Sequence, residues 1–123
     1  KIKKLIRNTR WSDVMNVKQL SPEEAYELAN KGTLFVDVRE KNETDAFSYD
    51  LKNIIYAPLS NFEILSMAKL PQEKDTPIIL ACKAGGRSMK AAEFLASNGY
   101  KNLYNLSGGI LGWSEAGLPV KEE

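Results

Sequence analysis

The chain has 123 residues, 43% of them apolar and 27% charged, with a formal net charge of +1. That suits one globular domain, gives no bulk field for nucleic acid or an anionic membrane, and contains no apolar run near the ~20 residues of a membrane span. One cysteine and no histidine exclude an internal disulfide, a Cys/His zinc set, and any Cys–His or Ser–His–Asp pairing.

The first fifteen residues open with Lys1-Ile2-Lys3-Lys4-Leu5-Ile6-Arg7, too short and too charged for a complete signal peptide. They are expected to form a basic arm draped on the surface or a short helix, with Trp11 packed rather than free, ahead of a domain that spans residues 16–123. Asn16 to Leu20 reads as a short edge strand. Ser21-Pro22-Glu23-Glu24 opens a helix, with Ser21 as N-cap, Pro22 at the first helical position and Glu24 reaching back as a capping box. Ala25, Leu28 and Ala29 make its buried stripe and Gly32 ends it. Thr33 to Val38 is too continuously apolar for a half-solvated strand and belongs inside a sheet. Asp37 and Arg39 follow at its C-terminal end, where open α/β sheets place ligands. They are either part of a pocket or, on the favoured reading, an ion-paired scaffold beneath it.

Asn42 is expected to cap a short helix through Ala46 and Phe47. Asn53 to Ala57 forms a strand stopped by Pro58. Ser60-Asn61-Phe62-Glu63 has the pattern of a second capping box, opening a helix through Ala68. Pro71 ends that segment and Gln72 to Asp75 is a polar linker.

Ile78-Ile79-Leu80-Ala81 between Pro77 and Cys82 reads as a strand buried on both faces. Beyond Cys82-Lys83-Ala84-Gly85-Gly86-Arg87-Ser88 a helical pattern appears, with Ala91, Ala92 and Leu95 on one face and Gly99 as its stop. The only cysteine therefore stands where a buried strand ends, in a short loop that leads into a helix. A loop bent around one point aims backbone N–H groups inward, and the helix N-terminus adds its positive end. This field favours a thiolate at Cys82, and equally a bound anion. Gly85 and Gly86 are read as positions for positive φ, and the Ser88 side chain as the helix cap rather than a substrate contact. After Gly99, Asn102 to Leu106 is a fifth strand. Gly108-Gly109 permits a tight turn close to a neighbouring backbone. Ile110 to Ala116 is a last helix with Trp113 on its inner face, ended by Gly117 and Pro119. The expected architecture is α/β: a three-layer α/β/α sandwich around a mainly parallel five-stranded sheet.

Four stretches resemble the rhodanese (thiosulfate sulfurtransferase) family. The loop from Cys82 to Ser88 is similar to its Cys-x-x-Gly-x-Arg active-site pattern. Phe35-Val36-Asp37-Val38-Arg39-Glu40, Ile55-Tyr56-Ala57-Pro58-Leu59, and Leu106-Ser107-Gly108-Gly109-Ile110 with Trp113 and Gly117-Leu118-Pro119-Val120 resemble its remaining signatures. The match runs from about Val17 to Val120. Where the family has Gly-His-Ile, this chain has Tyr49-Asp50-Leu51; the departure is expected to alter a surface turn and leave the chemistry whole.

The resemblance implies a single-domain sulfurtransferase that needs no metal or cofactor. Cys82 is the nucleophile. Lys83, Ala84, Gly85, Gly86 and Ser88 bind substrate, chiefly through their N–H groups. Arg87, with Lys83, holds the leaving sulfonate. The partners implied are a small-molecule sulfane donor and an acceptor such as cyanide, a thiol or a protein cysteine, with no nucleic acid and no membrane. Four residues separate Cys82 from Arg87, against five in the related dual-specificity phosphatases, and the shorter ring suits a terminal sulfur. Two rival readings are a non-catalytic rhodanese-like binding or regulatory module, and a Cys-dependent phosphatase or arsenate reductase. The expected compartment is the cytoplasm, or the periplasm should an N-terminal segment have been removed.

Overall fold

Five short strands form one sheet in which every neighbouring pair is parallel, in the order β1-β6-β5-β2-β4. They are β1 (Lys18–Leu20), β2 (Leu34–Asp37), β4 (Ile54–Tyr56), β5 (Ile78–Ala81) and β6 (Leu103–Leu106). The computed structural model describes residues 16–122; the expected basic arm and the packing of Trp11 lie outside the described residues. Among the described residues no helix is long and apolar enough to cross a membrane.

The apolar strand β5 lies at the centre because it alone is buried along its whole length on both faces. Its side chains alternate, as the pleat requires. Ile78 and Leu80 join Val36, Val38, Phe62, Ala91 and Leu95 on one face, while Ile79 and Ala81 join Phe35, Leu106, Ile110 and Trp113 on the other. Each fully buried aliphatic side chain contributes about 2 kcal/mol through area removed from water. Helices α3 (Phe62–Lys69) and α4 (Gly86–Ser97) cover the first face, and α1 (Pro22–Asn30) and α5 (Gly109–Glu115) cover the second. This is the expected three-layer sandwich, with β1 as an edge strand and β2 as an inner one.

Local chemistry explains the helix ends. Ser21 and Glu24 form the expected reciprocal box: Glu24 N donates to Ser21 Oγ (3.1 Å) and Ser21 N donates to Glu24 Oε1 (2.9 Å). Gly32 and Gly99 follow α1 and α4 with positive φ, the conformation that lets a chain leave a helix at low cost.

Four expectations are corrected. Helix α2 (Lys41–Ala46) is capped by Glu40 rather than Asn42, and Phe47 leaves it to begin a strand. The second capping box does not form. A 3₁₀ turn over Leu59–Asn61 precedes α3, and Ser60 turns away, donating from N (3.2 Å) and Oγ (2.8 Å) to the Glu40 carboxylate. In this arrangement the Ser60 hydroxyl donates to a charged carboxylate, a charge-assisted bond, instead of accepting from the Glu63 N–H as the box would require. The segment around Tyr49 is no surface turn: β3 (Phe47–Tyr49) pairs antiparallel with β7 (Val120–Glu122), forming a second, two-stranded sheet. Tyr49 is fully buried between Phe35 and Trp113, with ring centroids 4.9 Å and 5.1 Å away. Finally, α4 is capped by Gly85, not Ser88.

Candidate active site

Cys82 follows the last residue of the central strand and is 1% exposed. The backbone then turns at Gly85, whose φ of +107° is accessible chiefly to glycine. This turn brings Gly85 N to 3.1 Å from Cys82 Sγ and places the Ser88 hydroxyl 3.4 Å from it. Gly86 has no positive φ and open space around its Cα; only Gly85 has the conformation expected of both glycines.

The loop keeps its N–H groups inward because its carbonyls are held from outside. Ile110 N donates to Cys82 O (2.9 Å) and Leu111 N to Lys83 O (3.2 Å). Tyr49 Oη donates to Cys82 O as well (2.7 Å). The first turn of α5 thus seats directly against the thiol loop. Gly109 makes this approach feasible: a Cβ there would lie 2.3 Å from the Lys83 carbonyl carbon and oxygen. The neighbouring backbone expected beside Gly108-Gly109 is the thiol loop itself.

Burial pushes the Cys82 thiol up. Hydrogen bonds from the Ser88 hydroxyl and from the backbone of Ser88, Gly85 and Ala84 outweigh burial and bring it below the ordinary thiol value. The Ser88 hydroxyl has one proton to share among Cys82 Sγ, Gly85 O (3.2 Å) and Asn105 Oδ1 (2.5 Å). Asn105 is itself buried and donates to Gln19 Oε1 (2.9 Å) and Gly85 O (3.3 Å). Burial, and then the Asp37 charge, push the Tyr49 hydroxyl well above the ordinary tyrosine value, so it stays a donor to the loop.

Arg87 stands at the rim. Its Nη1 and Nη2 donate to Glu43 Oε1 (2.7 Å) and Oε2 (2.8 Å) of α2. The Arg87 bonds are the chief reason the Glu43 carboxyl falls to about 2. Lys83, Ala84 and Gly86 face solvent at the mouth of the loop. Asp37 and Arg39 do not enter it. Asp37 is fully buried, and its carboxylate accepts from Arg39 N (3.0 Å), Nε (3.2 Å) and Nη2 (2.9 Å). The Arg39 guanidinium carbon lies 5.6 Å from the Tyr49 ring centroid, so the pair braces the residue that holds the Cys82 carbonyl.

Sequence reasoning missed Glu43, Tyr49 and Asn105. Asn105 carried a signal, a polar amide inside the apolar run of β6. Nothing local distinguishes Glu43 from other surface acids, or Tyr49 from an ordinary aromatic.

Residues 21–116 match the family model described as the rhodanese-like domain. The chain belongs to the rhodanese family. It is 36% identical over 106 residues to the thiosulfate sulfurtransferase GlpE of Haemophilus influenzae (strain 86-028NP), covering 86% of this chain and 96% of that one. It is 36% identical over 101 residues to the tRNA uridine(34) hydroxylase of Photorhabdus laumondii, where the match spans 76% of this chain but 28% of the relative. Among solved structures, the polysulfide-sulfur transferase homodimer of Wolinella succinogenes superimposes with a TM-score of 0.77 at 30% identity, over 91% of this chain and 83% of that one.

Proposed function

We propose that this rhodanese-family protein moves a sulfane sulfur from thiosulfate, or a similar donor, to a thiophilic acceptor through a persulfide on Cys82. The observation that carries the reading is the sulfur at the focus of the loop, with Gly85 N at 3.1 Å and the Ser88 hydroxyl at 3.4 Å. The name of its 36%-identical relative supports the choice of donor.

In the first step the Cys82 thiolate attacks the outer sulfur of thiosulfate. The S–S bond of the donor breaks, its electron pair leaves with sulfite, and Cys82 carries a persulfide anion. In the second, cyanide, a small thiolate or a protein cysteine attacks that outer sulfur, and the departing pair restores the Cys82 thiolate. This is covalent, ping-pong catalysis. A thiol held below its ordinary value supplies thiolate without a general base, and the chain has no histidine. Inward N–H groups steady the terminal anion as an oxyanion hole steadies oxygen. Arg87 has five N–H donors, of which Glu43 takes two; the others, with Lys83, meet the sulfonate.

Intact-mass spectrometry tests the reading. After incubation with thiosulfate the protein gains the mass of one sulfur atom, cyanide removes it, and Cys82→Ser never acquires it. No gain from several sulfane donors would overturn the proposal in favour of a binding module. Turnover of an aryl phosphate without sulfur transfer would point to phosphatase chemistry instead.

A further inference from the structure

A cavity of about 640 Å³ opens beyond the C-terminal ends of β2 and β4. None of residues 82–88 lines it, so it is separate from the thiol loop. Its volume lies in the range of small-molecule sites. Four cations reach it from different elements: Arg39 after β2, Lys41 on α2, Lys69 at the end of α3 and Lys121 in β7. Two carboxylates also line it, Asp45 and Glu122. Asp45 is already held by Lys41 Nζ at 2.9 and 3.1 Å and Arg39 is paired with Asp37, so the positive surplus rests on Lys69 and Lys121 against Glu122.

Arg39 points to a ligand. The residue is 3% exposed. Its Nε and Nη2 donate to Asp37, and among the described residues Nη1 donates to none. Yet among the described residues no fully buried side-chain nitrogen or oxygen lacks a partner. Nη1 is therefore reached from outside, and the cavity is the opening that Arg39 lines. A buried guanidinium, fixed by an ion pair, lines a space to which three lysines also contribute. Lys69 is likewise pre-positioned: its Nζ donates to Tyr56 O (2.7 Å), which leaves its other hydrogens for a ligand.

We propose that this cavity is a second ligand site, for the phosphoryl group of a small molecule. A carboxylate is planar and is satisfied by one guanidinium fork. A phosphoryl group offers oxygens in several directions, which suits donors converging from four separate elements. Tyr56, 36% exposed, lines the same cavity and offers an aromatic wall beside the cations. The phosphoryl group can thus come from inorganic phosphate or from a nucleotide whose base rests on that ring.

The site stands apart from the persulfide chemistry and is tested without it. The isotope-labelled chain is titrated at constant ionic strength with sodium phosphate and, separately, with adenosine monophosphate, following backbone amides by NMR. The amides of Ser48, Tyr56 and Lys121 are expected to shift and saturate. Tighter binding of the nucleotide supports a nucleotide as the source, and equal affinity supports free phosphate. The double variant Lys69→Ala/Lys121→Ala removes two exposed side chains and should weaken binding by about tenfold, while Cys82→Ser binds as the parent does. The pair Lys69→Gln/Lys121→Gln removes charge with less change of shape and covers any folding defect in the first. Shifts that fail to saturate, shifts confined to residues 83–88, or unchanged affinity in both double variants overturn the proposal.

Discussion

Both oxygens of Glu43 accept from the Arg87 guanidinium, and the two side chains remain 27% and 34% exposed. The folded carboxyl lies at about 2, against 4.5 for the free group. A depressed carboxyl stabilises the fold above its unfolded value, and that contribution disappears as pH falls through the folded one. Solvent screens a pair this exposed, so the contribution is about 1 kcal/mol rather than the full linkage value. Urea unfolding at neutral pH should therefore find Glu43→Gln less stable than the parent by that amount. Between pH 4.5 and pH 2 the parent should lose this advantage and the two curves converge. A constant gap across the range would mean that Glu43 acts otherwise than through its charge. Arg87 was legible in the sequence from its place after the cysteine. Its partner was not, because the two lie 44 residues apart.

At the scale of elements, the first turn of α5 sets the shape of the thiol loop. Gly109 has φ of +58° and no room for a Cβ against Lys83. Gly109→Ala is expected to cost about 3 kcal/mol, in the manner of overpacking plus backbone strain, and to slow alkylation of Cys82 near neutral pH as the inward N–H groups are displaced. Gly86→Ala is the contrast, because Gly86 is helical and faces open space. It should change stability by less than about 0.5 kcal/mol. Denaturation midpoints with iodoacetamide rates separate the two outcomes. The double glycine announced a close approach in the sequence, but its partner became visible only when α5 was packed beneath β5. Ser88 shows the reverse. A serine near a helix start reads as a cap, yet the positive φ at Gly85 makes the glycine the cap and leaves the Ser88 hydroxyl beside the sulfur.

Across the whole molecule, the small β3–β7 sheet ties the far end of the fold to the thiol loop. Tyr49 pairs with Val120 in that sheet and donates to the Cys82 carbonyl. Trp113, packed on Tyr49, donates from Nε1 to Pro119 O (2.7 Å). Removing Pro119 to Glu123 strips β3 of its partner and Trp113 of its acceptor. The loss should be about 2 kcal/mol, from ladder bonds and a buried donor left unsatisfied, read as a melting temperature lower by roughly 6–12 °C. The truncated chain should also alkylate more slowly at Cys82, since Tyr49 no longer has a fixed strand to hold it. An unchanged melting temperature with unchanged thiol reactivity would show the small sheet to be an ornament of the fold.

By itself, the sequence determined whatever depends on neighbours along the chain. A four-residue apolar run marked the central strand, Ser21 and Glu24 marked a helix start, and Gly32 and Gly99 marked helix ends through their tolerance of positive φ. The strand–Cys–glycine–helix order marked Cys82 and the ring of N–H groups around it. Tertiary structure alone decided which distant groups complete that ring: Tyr49 on the Cys82 carbonyl from 33 residues away, and Asn105 against Ser88 from 17. It also paired Asp37 with Arg39 outside the thiol loop and set Arg39 in the lining of a separate cavity. The physical reason is that periodicity specifies which face of an element is apolar, but not which element will cover it. That choice follows from the strand order β1-β6-β5-β2-β4, and polar side chains find their partners only once the order is set.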